Sequence, residues 1–132
     1  MTLWCLFRSP LMVGAELNDN DEFTLNLLNN DEVLALLSES RNARQVYREE
    51  RYNYAGEVIV WQAENEQGET YCAVFNCGPK ARKLAVQLSS ALGLEGAYTG
   101  RDLWAHEEIP VGRALEVEVP SHGARLVKLT KK

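Results

Sequence analysis

ALEVEV, residues 114–119, alternates apolar and acidic side chains without a break. In an extended chain Leu115, Val117 and Val119 point one way and Glu116 and Glu118 the other, because successive strand side chains face opposite sides of a sheet. A strand of this kind has one dry and one wet face, as antiparallel sheets do when packed on one side only. Similar β-rich runs flank it: ARLVKL (124–129) after the turn PSHG, and upstream KLAVQL (83–88), TYCAVFN (70–76) and EVIVWQAE (57–64). RQVYREERY and GAYTGRDLW add weaker strands, and Gly, Pro, Asn and Ser punctuate the intervals. Roughly seven or eight short strands at close spacing predict an antiparallel two-sheet β-sandwich over residues 42–132, so the chain is mainly β.

Before residue 42 the period lengthens. TLWCLFR reads as the last turns of a helix that Ser9 and Pro10 stop, since a residue preceding proline is pushed out of the helical region. PLMVGAEL (10–17) is apolar on both faces, like a parallel strand covered by helices. After the polar NDND, Leu25, Leu28, Val33 and Leu36 fall at helical spacing, with Asn30 as an N-cap and Asp31 and Glu32 suited to the first turn. Helix, strand, helix is an α/β unit, and one such unit cannot cover both faces of its strand. Residues 1–41 are therefore expected to be the end of a larger, barrel-like domain.

Composition narrows the function. The 132 residues carry a net charge of −5, with Lys128, Lys131 and Lys132 as the only basic run, so a phosphate-binding surface for nucleic acid is not expected. The apolar LWCLF (3–7) is cut off by Arg8, too short for a membrane span or a signal-peptide core. Three cysteines cannot all pair, which points to buried thiols and a cytoplasmic chain. Cys72 and Cys77 lie at an odd separation and would face opposite sides of a strand, poorly placed to share a metal. Asp19-x-Asp21 lacks the glycine and distal glutamate of a calcium loop. No metal or cofactor is expected.

LWCLFRSPLMVGAEL followed by DEFTLNLLNNDEVLAL resembles the final strand and helix of the catalytic barrel in melibiase-like α-galactosidases, glycoside hydrolase family 27. Trp4, Ser9, Pro10, Leu11, Gly14, Leu17, Leu28, Asn30, Glu32 and Val33 match the pattern. VIVWQAEN, YCAVFNCG, LGLEGAYTGRDLW and VPSHGARLVKL are similar to the C-terminal β-sandwich of the same family, in the same order. Glu16 stands where many members carry Asp, and residues 37–52 depart from the Asn-Gln-Asp segment of eukaryotic members. The resemblance implies the last unit of a (β/α)8 barrel plus its sandwich. It also implies a retaining glycosidase, which needs two carboxyl groups about 5 Å apart. The family's nucleophile lies in a Lys-x-Asp motif and its acid/base Asp after a later strand; no residue here matches either.

The chain is thus expected to be a non-catalytic C-terminal fragment of an α-galactosidase-like hydrolase, its partner the N-terminal barrel of the parent. Glu16, ending the barrel strand, would support the pocket rim. Alone, the chain would self-associate through residues 3–37. The alternative is a free-standing carbohydrate-binding sandwich, in which Tyr52 and Tyr54, on one face of an extended stretch with Tyr47 nearby, stack on a galactoside ligand. An independent hydrolase ranks last, because His106 and His122 have no nucleophile arranged around them and His122 sits in a turn. Trp61 reads as core and Trp104 as packing at the sandwich edge.

Overall fold

The computed structural model describes residues 1–14, 16–49 and 58–132. Among these lie eight strands: β1 (Arg41–Arg48), β2 (Val58–Glu64), β3 (Thr70–Asn76), β4 (Arg82–Gln87), β5 (Tyr98–Asp102), β6 (Glu107–Ile109), β7 (Ala114–Val119) and β8 (Gly123–Lys131). They form two antiparallel sheets, one in the order β1-β2-β3-β8-β5-β6 and one of β4 with β7. This is the mainly β, two-sheet architecture that the alternation demanded. ALEVEV is β7, and Leu115, Val117 and Val119 are buried while Glu116 and Glu118 are exposed. KLAVQL is cut one residue early, because Leu88 begins helix α5 (Leu88–Leu92). β6 is only three residues long, too short for alternation to reveal it.

The larger sheet is buried on both faces. On its inner face Val58, Val60, Cys72, Val74, Val127 and Leu129 meet Val86, Leu115, Val117 and Val119 of the smaller sheet and Leu88 and Leu92 of α5. On its outer face Ala63, Tyr71, Ala73 and Leu126 meet the N-terminal helices. β3 serves both cores through alternate residues, which is why Tyr71 to Val74 are all buried. The register lines these faces up across strands, with Cys72 opposite Val127 and Ala73 opposite Leu126.

Among the described residues, the short helices α1 (Thr2–Leu6), α3 (Asp31–Leu34) and α4 (Leu36–Glu39) cover the outer face, while α2 (Glu22–Leu28) buries none of its residues. Cys5, Leu6, Val33 and Leu36 are their fully buried anchors. Asp21 caps α2 by accepting from Thr24 N–H at 2.8 Å, and Asn30 caps α3 by accepting from Val33 N–H at 3.0 Å. The Ser40 hydroxyl donates to the Leu6 carbonyl, and Arg8 Nε to the Leu37 carbonyl at 3.0 Å, so α1 is tied to the end of α4.

The strand expected over residues 10–17 is not formed by the described residues there. Leu11 to Gly14 pair with no strand, and Met12 is 89% exposed. A parallel strand exists only through hydrogen bonds to its neighbours, and no described strand of this chain lies alongside. Residues 9–14 carry no regular secondary structure and are tethered to α1 by Trp4 Nε1, which donates to the Pro10 carbonyl at 3.1 Å.

At Gly100 in β5 the backbone approach admits no side chain. A Cβ there would stand 2.6 Å from Val111 Cγ2 and 3.0 Å from Ile109 Cγ1. Gly100→Ala is therefore expected to push the β5–β6 hairpin away from the core and cost about 1–3 kcal/mol. Urea unfolding checks this; an unchanged midpoint would show that Val111 yields freely.

Candidate functional site

RDLWAH, residues 101–106, fastens the helices to the sheet. Asp102, buried at the end of β5, accepts from the N–H groups of Trp104 at 3.0 Å and Ala105 at 3.1 Å, and from Arg125 Nη1 at 3.3 Å. This turn buries Leu103 in the outer core and delivers Trp104 to α1, where Nε1 donates to Thr2 Oγ1 at 2.8 Å. Trp104 thus packs at the edge of the sandwich, against the helical layer. Asn30 Nδ2 donates to the Leu103 carbonyl at 2.9 Å, so the side chain that caps α3 also anchors it.

The polar end of this clasp is Glu32. Arg101 Nε and Nη2 grip its two oxygens at 2.7 and 2.6 Å, a bidentate pair, while His106 Nδ1 lies 2.7 Å from Oε1. Glu108 stands on the far side of Arg101 at 3.4 Å. The Arg101 guanidinium, helped by His106 and opposed by burial, holds the Glu32 carboxyl down at about 2. A carboxylate kept ionised with both oxygens occupied cannot serve as a general acid near neutral pH. Its role is anchorage.

The other residues singled out in the sequence are scattered. Glu16 is exposed, and its carboxylate accepts from Asn18 Nδ2 at 3.2 Å as the cap of a short 3-10 turn, Leu17–Asp19. Tyr52 and Tyr54 lie outside the described residues. Tyr47, half exposed on β1, lines a cleft of about 400 Å³ between β1, β2 and β4, with the Arg82–Glu49 pair at 2.6 Å on its wall. His122 occupies a left-handed position (φ 51°) in the turn before β8, as expected of a turn residue. Trp61 is half-buried against the outer core. Cys5 and Cys72 are buried, and desolvation pushes the Cys72 thiol up to about 12; Cys77, expected to be buried, is exposed because β3 ends one residue earlier.

Large apolar side chains are exposed in one part of the molecule. Trp4, Phe7, Met12, Val13, Phe23 and Leu25 all lie within the first 25 residues, and Tyr47 completes the set among the described residues. α1 is buried through Cys5 and Leu6 while presenting Trp4 and Phe7 outward. The segment therefore has two apolar sides, and the sheet covers one of them.

Residues 55–129 match the family described as the alpha galactosidase C-terminal beta sandwich domain. The chain belongs to that family. Along 98% of its length it is 30% identical to alpha-galactosidase D of Emericella nidulans, of which it covers 19%, and 26% identical to an alpha-galactosidase of Oryza sativa, of which it covers 30%. Among solved structures it is similar to a GH27 β-L-arabinopyranosidase from Geobacillus stearothermophilus, with 42% identity and a TM-score of 0.85 over 98% of this chain and 28% of that one. It also shares the fold of alpha-galactosidase I from Mortierella vinacea, with a TM-score of 0.85 at 20% identity. The chain spans about a fifth to a third of the length of these relatives and corresponds to their C-terminal region.

Because the folded Glu32 carboxyl lies below its ordinary value of 4.5, its stabilising effect is complete above that pH and fades as pH falls towards 2. Glu32→Gln should be less stable than the parent at pH 7, and the two should converge as acid is added. Urea unfolding at stepped pH measures this; parallel curves would mean that the clasp adds nothing.

Proposed function

We propose that the chain is the C-terminal part of an α-galactosidase-like retaining glycoside hydrolase, in which residues 1–41 complete the catalytic barrel and the sandwich packs on that barrel and stabilises it. The observation carrying this reading is the outward apolar side of the N-terminal segment, where Trp4, Phe7, Met12 and Val13 stand exposed although the sheet already covers the other side. An exposed apolar stretch that could complete a parallel barrel is explained by barrel strands and helices packing there. The much greater length of the relatives supports the same partner.

In this reading the chain itself is catalytically silent. Its sequence contains no Lys-x-Asp motif, and Glu32, the most perturbed carboxylate among the described residues, is locked in an ion pair. Glu16 would return to the pocket rim once the barrel strand is paired. The parent's substrates would be α-galactosides or β-L-arabinopyranosides, which share ring configuration and differ by the C6 hydroxymethyl group. The buried, unpaired Cys5 and Cys72 fit a cytoplasmic setting.

Two measurements test the reading. The isolated chain should release no product from aryl α-galactosides or aryl β-L-arabinopyranosides, and in sedimentation velocity it should self-associate. The double substitution Met12→Glu and Val13→Glu should return it to a monomer while changing its stability by about 0.5 kcal/mol or less, as exposed positions allow. A monomeric parent chain, or turnover by the chain alone, would overturn it.

A further inference from the structure

Phe23 is not among the exposed residues on which the barrel reading rests. It is 70% exposed on α2, while Leu25, the other exposed apolar residue of that helix, lies two positions on. Two positions correspond to about 200° around a helix, so the two side chains face nearly opposite sides of α2. Phe23 instead shares its side of α2 with Asn26 and Leu27, at the spacings i+3 and i+4, and Asn29 and Asn30 follow where the helix ends. This side forms one wall of a groove of about 410 Å³, and the RDLWAH turn supplies the other through Trp104 and His106.

The chemistry of the lining is specific. Phe23 and Trp104 contribute two aromatic side chains. Asn26 and Asn29 also line the groove, and among the described residues neither carboxamide has a hydrogen-bond partner. Asn30 is already satisfied by Val33 and Leu103 and only shapes the floor. His106 is held by Glu32 at Nδ1, so Nδ1 carries the proton and Nε2 remains for a ligand. Arg101 is committed to Glu32 and Glu108, and among the described residues lining the groove there is no Lys or Arg to attract an anion. Aromatic faces, neutral amides and one oriented imidazole suit a ligand with an apolar face and a ring of neutral hydroxyls.

We propose that this groove is a binding subsite for a neutral pyranoside, stacked on Phe23 and hydrogen-bonded by Asn26, Asn29 and His106 Nε2. Its volume falls within the usual range for small-molecule sites, about 300–1,000 Å³. The inference is separate from the barrel reading, since every contact comes from this chain.

The test is an amide-shift NMR titration of the full chain with methyl α-D-galactopyranoside and, separately, methyl β-L-arabinopyranoside. The expected result is saturable shifts confined to residues 23–30 and 103–107, with Kd about 1–10 mM for one stacked ring and a few hydrogen bonds. Phe23→Ala should weaken binding roughly tenfold, whereas Phe23→Tyr, which keeps the ring, should retain it. Asn26→Ala combined with Asn29→Ala should weaken it as well. Because Phe23 is exposed, both single variants should keep the parent's circular dichroism spectrum. Absence of saturable shifts, shifts mapping to the Tyr47 cleft instead, or equal affinity in Phe23→Ala would each overturn the proposal.

Discussion

β3 has no polar face. Tyr71 to Val74 are apolar in succession, and a strand of that composition is stable only when both sides of its sheet are covered. The rest of the architecture answers this demand. β4, β7 and α5 cover one side and the helices α1, α3 and α4 cover the other, so the sandwich and the helical segment share the same sheet as their floor. Removing the helices would leave Tyr71, Ala73 and Leu126 facing water, together with Leu103.

Polar contacts give that hydrophobic packing its register. Helix-on-sheet packing alone tolerates sliding, but Asn30 to Leu103, Trp104 to Thr2 and Glu32 to Arg101 and His106 admit one placement. The buried Tyr71 hydroxyl extends the same logic, donating to Glu39 at 2.9 Å and accepting from Asn65 at 3.3 Å. Burial, with the Glu39 carboxylate second, keeps its phenol protonated well above the usual range. These groups fix the helices on the outer face of the sheet through contacts between distant parts of the chain.

The two apolar sides of the N-terminal segment also explain why its sequence looked unfinished. Cys5, Leu6, Val33 and Leu36 are satisfied by the sheet, and Trp4, Phe7, Met12 and Val13 are not. The helices over residues 2–39 were legible because their periodicity and the Asn30 cap are local signals. The strand over 10–17 was legible as composition, but among the described residues Leu11 to Gly14 pair with no strand, because pairing is a property of neighbours and not of the segment. Met12 in the open is the consequence.

Periodicity by itself determined most of the antiparallel strands, the helical opening and the change of character near residue 42, since each depends on residues only a few positions apart; three-residue β6 escaped it. The burial of Tyr71, Ala73 and Leu126 by helices was beyond it, as was the exposure of Cys77, which turns on where β3 ends. The clasp and the groove were beyond it too. Glu32 and Arg101 are 69 positions apart, and Thr2 and Trp104 are 102 apart. No local pattern marks such partners, because each residue reads alone as an ordinary charged or aromatic surface side chain. Only the packing of the helices on the outer face of the sheet brings them within hydrogen-bonding distance.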